Sequence, residues 1–172
     1  RSMAFGASAA ANKQNTTAMG TSARATGDFA SSYGTNANAD GVAAMAFGSG
    51  AKATATTAIS FGTNASASGA NAVVMGTDGV ASAEDATALG YGAQATGTDA
   101  IAVGKSSVAS ESDSIAIGSD ANASKAGAIA LGDNATAANT NSVVVGIGAT
   151  TTRDDQIKLG QNTTQVTVAN LA

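Results

Sequence analysis

Cysteine, histidine, proline and tryptophan are all absent from this chain of 172 residues, and aromatic side chains make up only 3% of it. Without Cys there is neither a disulfide framework nor a thiolate metal site. Without His the usual zinc, copper and iron ligands and the usual general base are missing as well. The many serines therefore have no triad partner, and the chain presents neither the long loops nor the carboxylate cluster of a solenoid enzyme's cleft. An enzyme is not expected, nor is a cofactor. Charge is sparse too, at 12% of residues and a net −4. The eight basic residues are scattered singly, which gives no phosphate-binding stripe and argues against nucleic acid as a partner. No apolar run approaches the roughly 20 residues that cross a bilayer, and Arg1-Ser2-Met3 does not open a signal peptide, so no membrane insertion by this chain is expected.

What the chain does have is a repeat. Gly6, Gly20, Gly34, Gly48, Gly62, Gly76, Gly90, Gly104, Gly118, Gly132, Gly146 and Gly160 stand at one interval of 14 residues. A period held without insertion or deletion predicts one elongated domain in which each copy packs on the copy before it, as in a solenoid. Before each glycine a large apolar residue recurs, with an often β-branched residue two places earlier and a small residue between them, as in Ile115-Ala116-Ile117-Gly118. This alternation predicts a short strand. After the glycine come two turn-forming residues, then a second alternating segment such as Ala65-Ser66-Ala67. Two strands and two tight turns make a flat, two-sided coil, since a three-sided coil needs about 18 residues. The expected fold is all-β, a parallel β-roll of about 12 coils, roughly 55 Å long at about 4.8 Å per coil.

The large apolar residues are the expected roll core: Phe47, Phe61, Met75, Leu89, Ile101, Val103, Ile115, Ile117, Ile129, Leu131, Val143 and Val145. Opposite them the alanines of the second strand would fill the gap, large facing small. So thin a rod buries little apolar area for the chain entropy it must offset, so a second face should be buried by symmetric association. The small residues between the large ones are the expected interface: Ala46, Ser60, Val74, Ala88, Ala102, Ala116, Ala130 and Val144. Lys158 continues that track and predicts a change of contact at the C-terminal end.

The copies Asp113-Ser114-Ile115-Ala116-Ile117-Gly118, Asn141-Ser142-Val143-Val144-Val145-Gly146, Asn71-Ala72-Val73-Val74-Met75-Gly76 and Gly127-Ala128-Ile129-Ala130-Leu131-Gly132 carry a resemblance. Each is similar to the Asn-Ser-Val-Ala-Ile-Gly strand, followed by Ala-x-Ala, of the heads of trimeric autotransporter adhesins, the YadA-like class of Gram-negative bacteria. The resemblance covers about residues 3–160. It implies a left-handed roll, a homotrimer, and display on the bacterial cell surface, with anchoring in the outer membrane through a C-terminal region outside this chain. It also implies host extracellular matrix or cell-surface molecules as partners. Residues 1–160 are then the head, and 161–172, where Thr163–Val168 replaces the Ala-x-Ala pattern, lead toward a neck and stalk.

Departures from the pattern mark expected irregularities. Thr17, Ser31 and Thr87 replace the β-branched apolar residue, Phe29 adds bulk, and Val80 and Val108 put apolar side chains on the outer strand, predicting a bulge or an apolar contact spot. Asp85, Asp99 and Asp113 share one position in successive coils. They are expected to accept hydrogen bonds from their own turns, as Asn71 and Asn141 do, with a bound cation such as calcium the other reading. The G-x-G-x-x-A matches at Gly48–Ala53 and Gly90–Ala95 are by-products of the repeat, because no helix follows them. Asn15, Asn64, Asn122, Asn134 and Asn162 begin N-x-S/T triplets of the kind this composition produces by chance. Outward residues with charge or bulk, Arg24, Lys52, Tyr91, Gln94, Lys105 and Lys125, are the candidate ligand surface. An ice-binding solenoid or a structural spacer is the alternative, but the outer strand lacks the regular threonine array that ice binding requires.

Overall fold

The computed structural model describes residues 1–161; Asn162 and the Thr163–Val168 segment lie outside the described residues. Among the described residues, 22 strands lie in two parallel sheets and alternate between them along the chain as far as Val143–Val145, which Ile157–Leu159 follows in the same sheet. A long sheet of 12 strands runs from Met3–Phe5 to Ile157–Leu159, and a short sheet of 10 runs from Ala10–Ala11 to Thr136–Ala137. Strands pair with the one 14 residues on, so that Ile101, Ala102 and Val103 lie beside Ile115, Ala116 and Ile117. The 14-residue period of the sequence is one turn of a flat parallel solenoid.

Both turns of a coil are built alike. In the first, the amide three residues after the glycine donates to the glycine carbonyl, as from Ala121 to Gly118 at 3.3 Å. In the second, Ala100 donates to Gly97 at 3.2 Å. A four-residue turn of this kind puts its third residue at positive φ, as a type II turn does. That place is held by residues such as Asn64, Asp78 and Asp120 in the first turn and Asn71, Asp85 and Asp113 in the second, with φ between +54° and +59°. The repeat glycine has a separate reason. At Gly104 φ is +133°, and a Cβ there would stand 2.3 Å from the Gly118 carbonyl oxygen of the next coil. Any side chain would meet both a forbidden backbone region and a neighbouring backbone.

The core lies on the opposite face of the long sheet from the one expected. Phe47, Phe61, Met75, Leu89, Ile101, Val103, Ile115, Ile117, Ile129, Leu131, Val143 and Val145 point outward, and none of them is buried. Ala46, Ser60, Val74, Ala88, Ala102, Ala116, Ala130 and Val144 point inward and are wholly buried, so they offer no surface to a second chain. The interior is made of small side chains from four positions per coil, for example Ala86, Ala88, Ala93 and Ala95. The reason is the length of the elements. Strands of three and two residues joined by four-residue turns hold the two sheets close together. The gap suits methyl-sized groups and has no room for a ring or a long branched chain.

Two further expectations are resolved by register and burial. Val80 pairs with Ser66 and Gln94, and Val108 with Gln94 and Asn122, without a bulge; both valines are half-buried. Phe29 sits in a turn at φ +62° with its ring half in solvent, away from the core. At the last described coil the short sheet shrinks to a single bridge between Thr136 and Thr150. There Lys158, in the inward track, donates from Nζ to the Thr150 carbonyl at 2.9 Å.

Candidate interaction surface

Because the register never shifts, the outward side chains of the long sheet form two continuous ladders, one at each end of its three-residue strands. They make a largely apolar stripe along the roll, roughly 55 Å at about 4.8 Å per strand, unbroken in the ladder next to the repeat glycines and interrupted in the other by Thr17, Ser31 and Thr87. Phe5 is 72% exposed and Met75 54%. Single exposed apolar residues are ordinary, but a continuous stripe marks an interaction face. Within it Tyr33, Phe47 and Phe61 stack ring on ring, with centroids 4.6 and 4.5 Å apart and planes within 9°. In-register parallel strands impose that geometry, since like positions sit one strand spacing apart. From Ile101 to Leu159 the stripe is aliphatic, with Lys158 in the inward track beneath it.

The outer face of the short sheet is different in kind. Arg24, Asn38, Lys52, Ser66 and Gln94 follow one another along it, interrupted by Val80. Asn38 donates to the Asp40 carboxylate at 2.7 Å, and the Thr26 hydroxyl donates to the same group. Arg24, Lys52, Tyr91, Gln94, Lys105 and Lys125 are all exposed. They are not gathered into one site. Arg24, Lys52 and Gln94 lie on the short sheet, Tyr91 and Lys105 occupy the same place in successive first turns, and Lys125 lies in a second turn.

The aspartate ladder has a backbone origin. Asp85, Asp99 and Asp113 hold the positive-φ place of the second turn, where φ is +57° to +59°. Asp and Asn accept that conformation more readily than other residues with a side chain. At Asp85 the expected bond to its own turn gives way to one between coils. Asn71 donates to the Asp85 carboxylate at 3.0 Å, and Asn141 to that of Asp155 at 3.3 Å. Among the described residues no group of three or more His, Cys, Asp or Glu is arranged to hold a metal ion.

The apolar stripe as an outward face was missed in the sequence, although one signal for it was present. Val74 is the first valine in the small track, and Gly79 in the same coil replaces the usual alanine. A Cβ on Gly79 would lie 2.7 Å from Val74 Cγ1. One enlargement matched by one reduction places both residues in the same interior.

The YadA head domain repeat model matches this chain in ten overlapping stretches that run without a gap from residue 1 to residue 149. The chain belongs to the YadA head repeat family. The overlap of successive matches by about one coil follows from a unit that is itself repeated. Among solved structures, the collagen-binding domain of the Yersinia adhesin YadA is similar, at 24% identity over 78% of this chain and 75% of that one, with a TM-score of 0.49. No curated protein matches the chain.

Proposed function

We propose that this chain is the head of a bacterial surface adhesin and acts as a homotrimer whose three rolls meet along their long sheets. The observation that carries this reading is the outward apolar stripe. It runs the length of the roll on one face, while the short sheet and the turns are mostly polar, with single exposed apolar residues such as Phe29, Val42, Tyr91 and Ile147 in the turns. Symmetric association of a few copies along parallel axes covers such a stripe completely, and membership of a head-repeat family of adhesins agrees with three. The interface in this reading consists of Phe47, Phe61, Met75, Leu89 and the other large residues, while the small track stays inside each roll.

Attachment to host cells or extracellular matrix falls to what the trimer leaves outside, the short sheets and turns with Arg24, Lys52, Tyr91, Gln94, Lys105 and Lys125. Three chains and repeated coils present a weak contact many times, so that avidity replaces a deep pocket. Anchoring in the outer membrane is assigned to a region beyond this chain. Light scattering with circular dichroism on the same sample tests the assembly, and a folded monomer overturns it. Binding of the trimer to immobilised matrix proteins and glycans tests the attachment. The sixfold alanine variant of the outward residues is expected to lose most of that binding while keeping its mass, and unchanged binding refutes the assignment of those residues.

A further inference from the structure

Phe29 breaks the rule of its place. Among the described residues, those other than glycine at positive φ are Asn, Asp, Ser, Thr or Ala, with one exception, Phe29 at +62°. Asn and Asp adopt that conformation at little cost and a bulky side chain does not, so strain accepted here points to a use for the ring. More than half of Phe29 lies in solvent, at 54% exposed, so packing within its own roll accounts for at most part of that use.

A second departure lies two residues on. Thr17 and Ser31 hold places in the outward ladder that Met45, Ile59 and Val73 fill in the coils that follow. The bulk missing from the sheet at Ser31 therefore stands beside it, in the turn that leads into the strand. At the other end of the same strand, next to the first turn, is Tyr33, whose ring stacks on Phe47 at 4.6 Å. Tyr33 opens that stack, since its neighbour in the coil before is Met19.

Cyclic symmetry decides which side of one roll meets which side of the next. A threefold axis parallel to the rolls carries no shift along them, and its contacts join two different patches of the same surface. With the long sheets facing the axis, the second-turn side of each roll meets the first-turn side of its neighbour at the same coil. Phe29 and Ser31 of one roll are thereby brought to Tyr33 of the next.

We propose that Phe29 anchors the contact between rolls: its ring enters the space that Thr17 and Ser31 leave in the ladder and packs against Tyr33 of the neighbouring copy, at the head of that copy's ring stack. The inference rests on the trimeric reading above and adds to it the residue that holds each pair of rolls together at this level.

Subunit exchange between donor- and acceptor-labelled assemblies of the full chain tests it. Phe29→Asn restores the residue that Asn15, Asn71 and Asn141 supply at the same place in other coils, so each roll keeps its fold. Removing a ring from every contact should nevertheless speed exchange at least about tenfold. Phe29→Tyr, which keeps the ring, should stay within about threefold of the unaltered chain. In a Tyr33→Ala background the added effect of Phe29→Asn should shrink below about threefold, as for two residues in contact. Phe29→Asn assemblies that exchange at the unaltered rate overturn the proposal and leave the trimer standing; if they also lose binding to matrix proteins, the ring belongs to the attachment surface instead. An undiminished effect in Tyr33→Ala overturns the proposed partner. A folded single chain in the unaltered protein overturns the trimeric reading and this inference with it.

Discussion

The two sheets of the roll share an interior but not an exterior. Each turns alanine or serine inward, as with Ala100 and Ala102 from the long sheet and Ser107 and Ala109 from the short one. Outward, the long sheet shows Ile101 and Val103, while the short sheet shows Gln94 and Asn122 around Val108. A sheet with polar groups outside and methyl groups inside is complete in water. A sheet with methyl groups inside and large apolar groups outside has a second partner to find. The contrast teaches that the narrow interior of a thin solenoid cannot hold its largest apolar side chains, and in the proposed trimer the face that carries them is the one kept for another chain.

The largest effect that breaks this comparison comes from charging the stripe. Ile115→Asp with Ile117→Asp is expected to reduce the assembled species to single chains by light scattering, since burying carboxylates without partners costs several kcal/mol per ion. Its β circular dichroism should persist. Loss of fold instead of association would return these residues to the core.

Next comes the latch between coils. Gly104→Ala adds a backbone conformation that costs about 1–3 kcal/mol to a clash with the Gly118 carbonyl, for a total of about 4 kcal/mol in chemical denaturation. A loss below about 1 kcal/mol would mean that the coils have slack between them. Filling the interior should cost about 3 kcal/mol, as in Ala116→Leu. If Ala116 faced a neighbouring chain instead, the same change would be tolerated or would strengthen association.

The smallest effect is a gain. The Ser60 hydroxyl is buried without a hydrogen-bond partner, whereas that of Ser32 in the same track donates to the Ala37 carbonyl at 3.0 Å. Ser60→Ala should stabilise the roll by about 1 kcal/mol, and Ser32→Ala should not. Thermal unfolding of the two variants side by side reads the difference.

Much of this molecule was legible in advance. The glycine interval dictated the coil, because only glycine meets both the backbone angle and the close approach at Gly104 and its equivalents. The alternation in Ile115-Ala116-Ile117 dictated a strand and separated two faces, and Asn64 or Asp120 after the glycine dictated a turn. What misled was the habit of reading the larger residues as the core. Nothing in Ile115-Ala116-Ile117 by itself tells inside from outside. The candidate ligand residues were legible as exposed but not as a site, since their positions in the coil put Lys125 and Tyr91 on different turns.

By itself, then, the sequence determined the period, the strands, the turns and the division of side chains into two sets, because these depend on local backbone preferences and on spacing along the chain. Which set lies inside was decided only in three dimensions. Short strands and tight turns set the distance between the sheets, and that distance admits alanine and serine while turning isoleucine and phenylalanine outward.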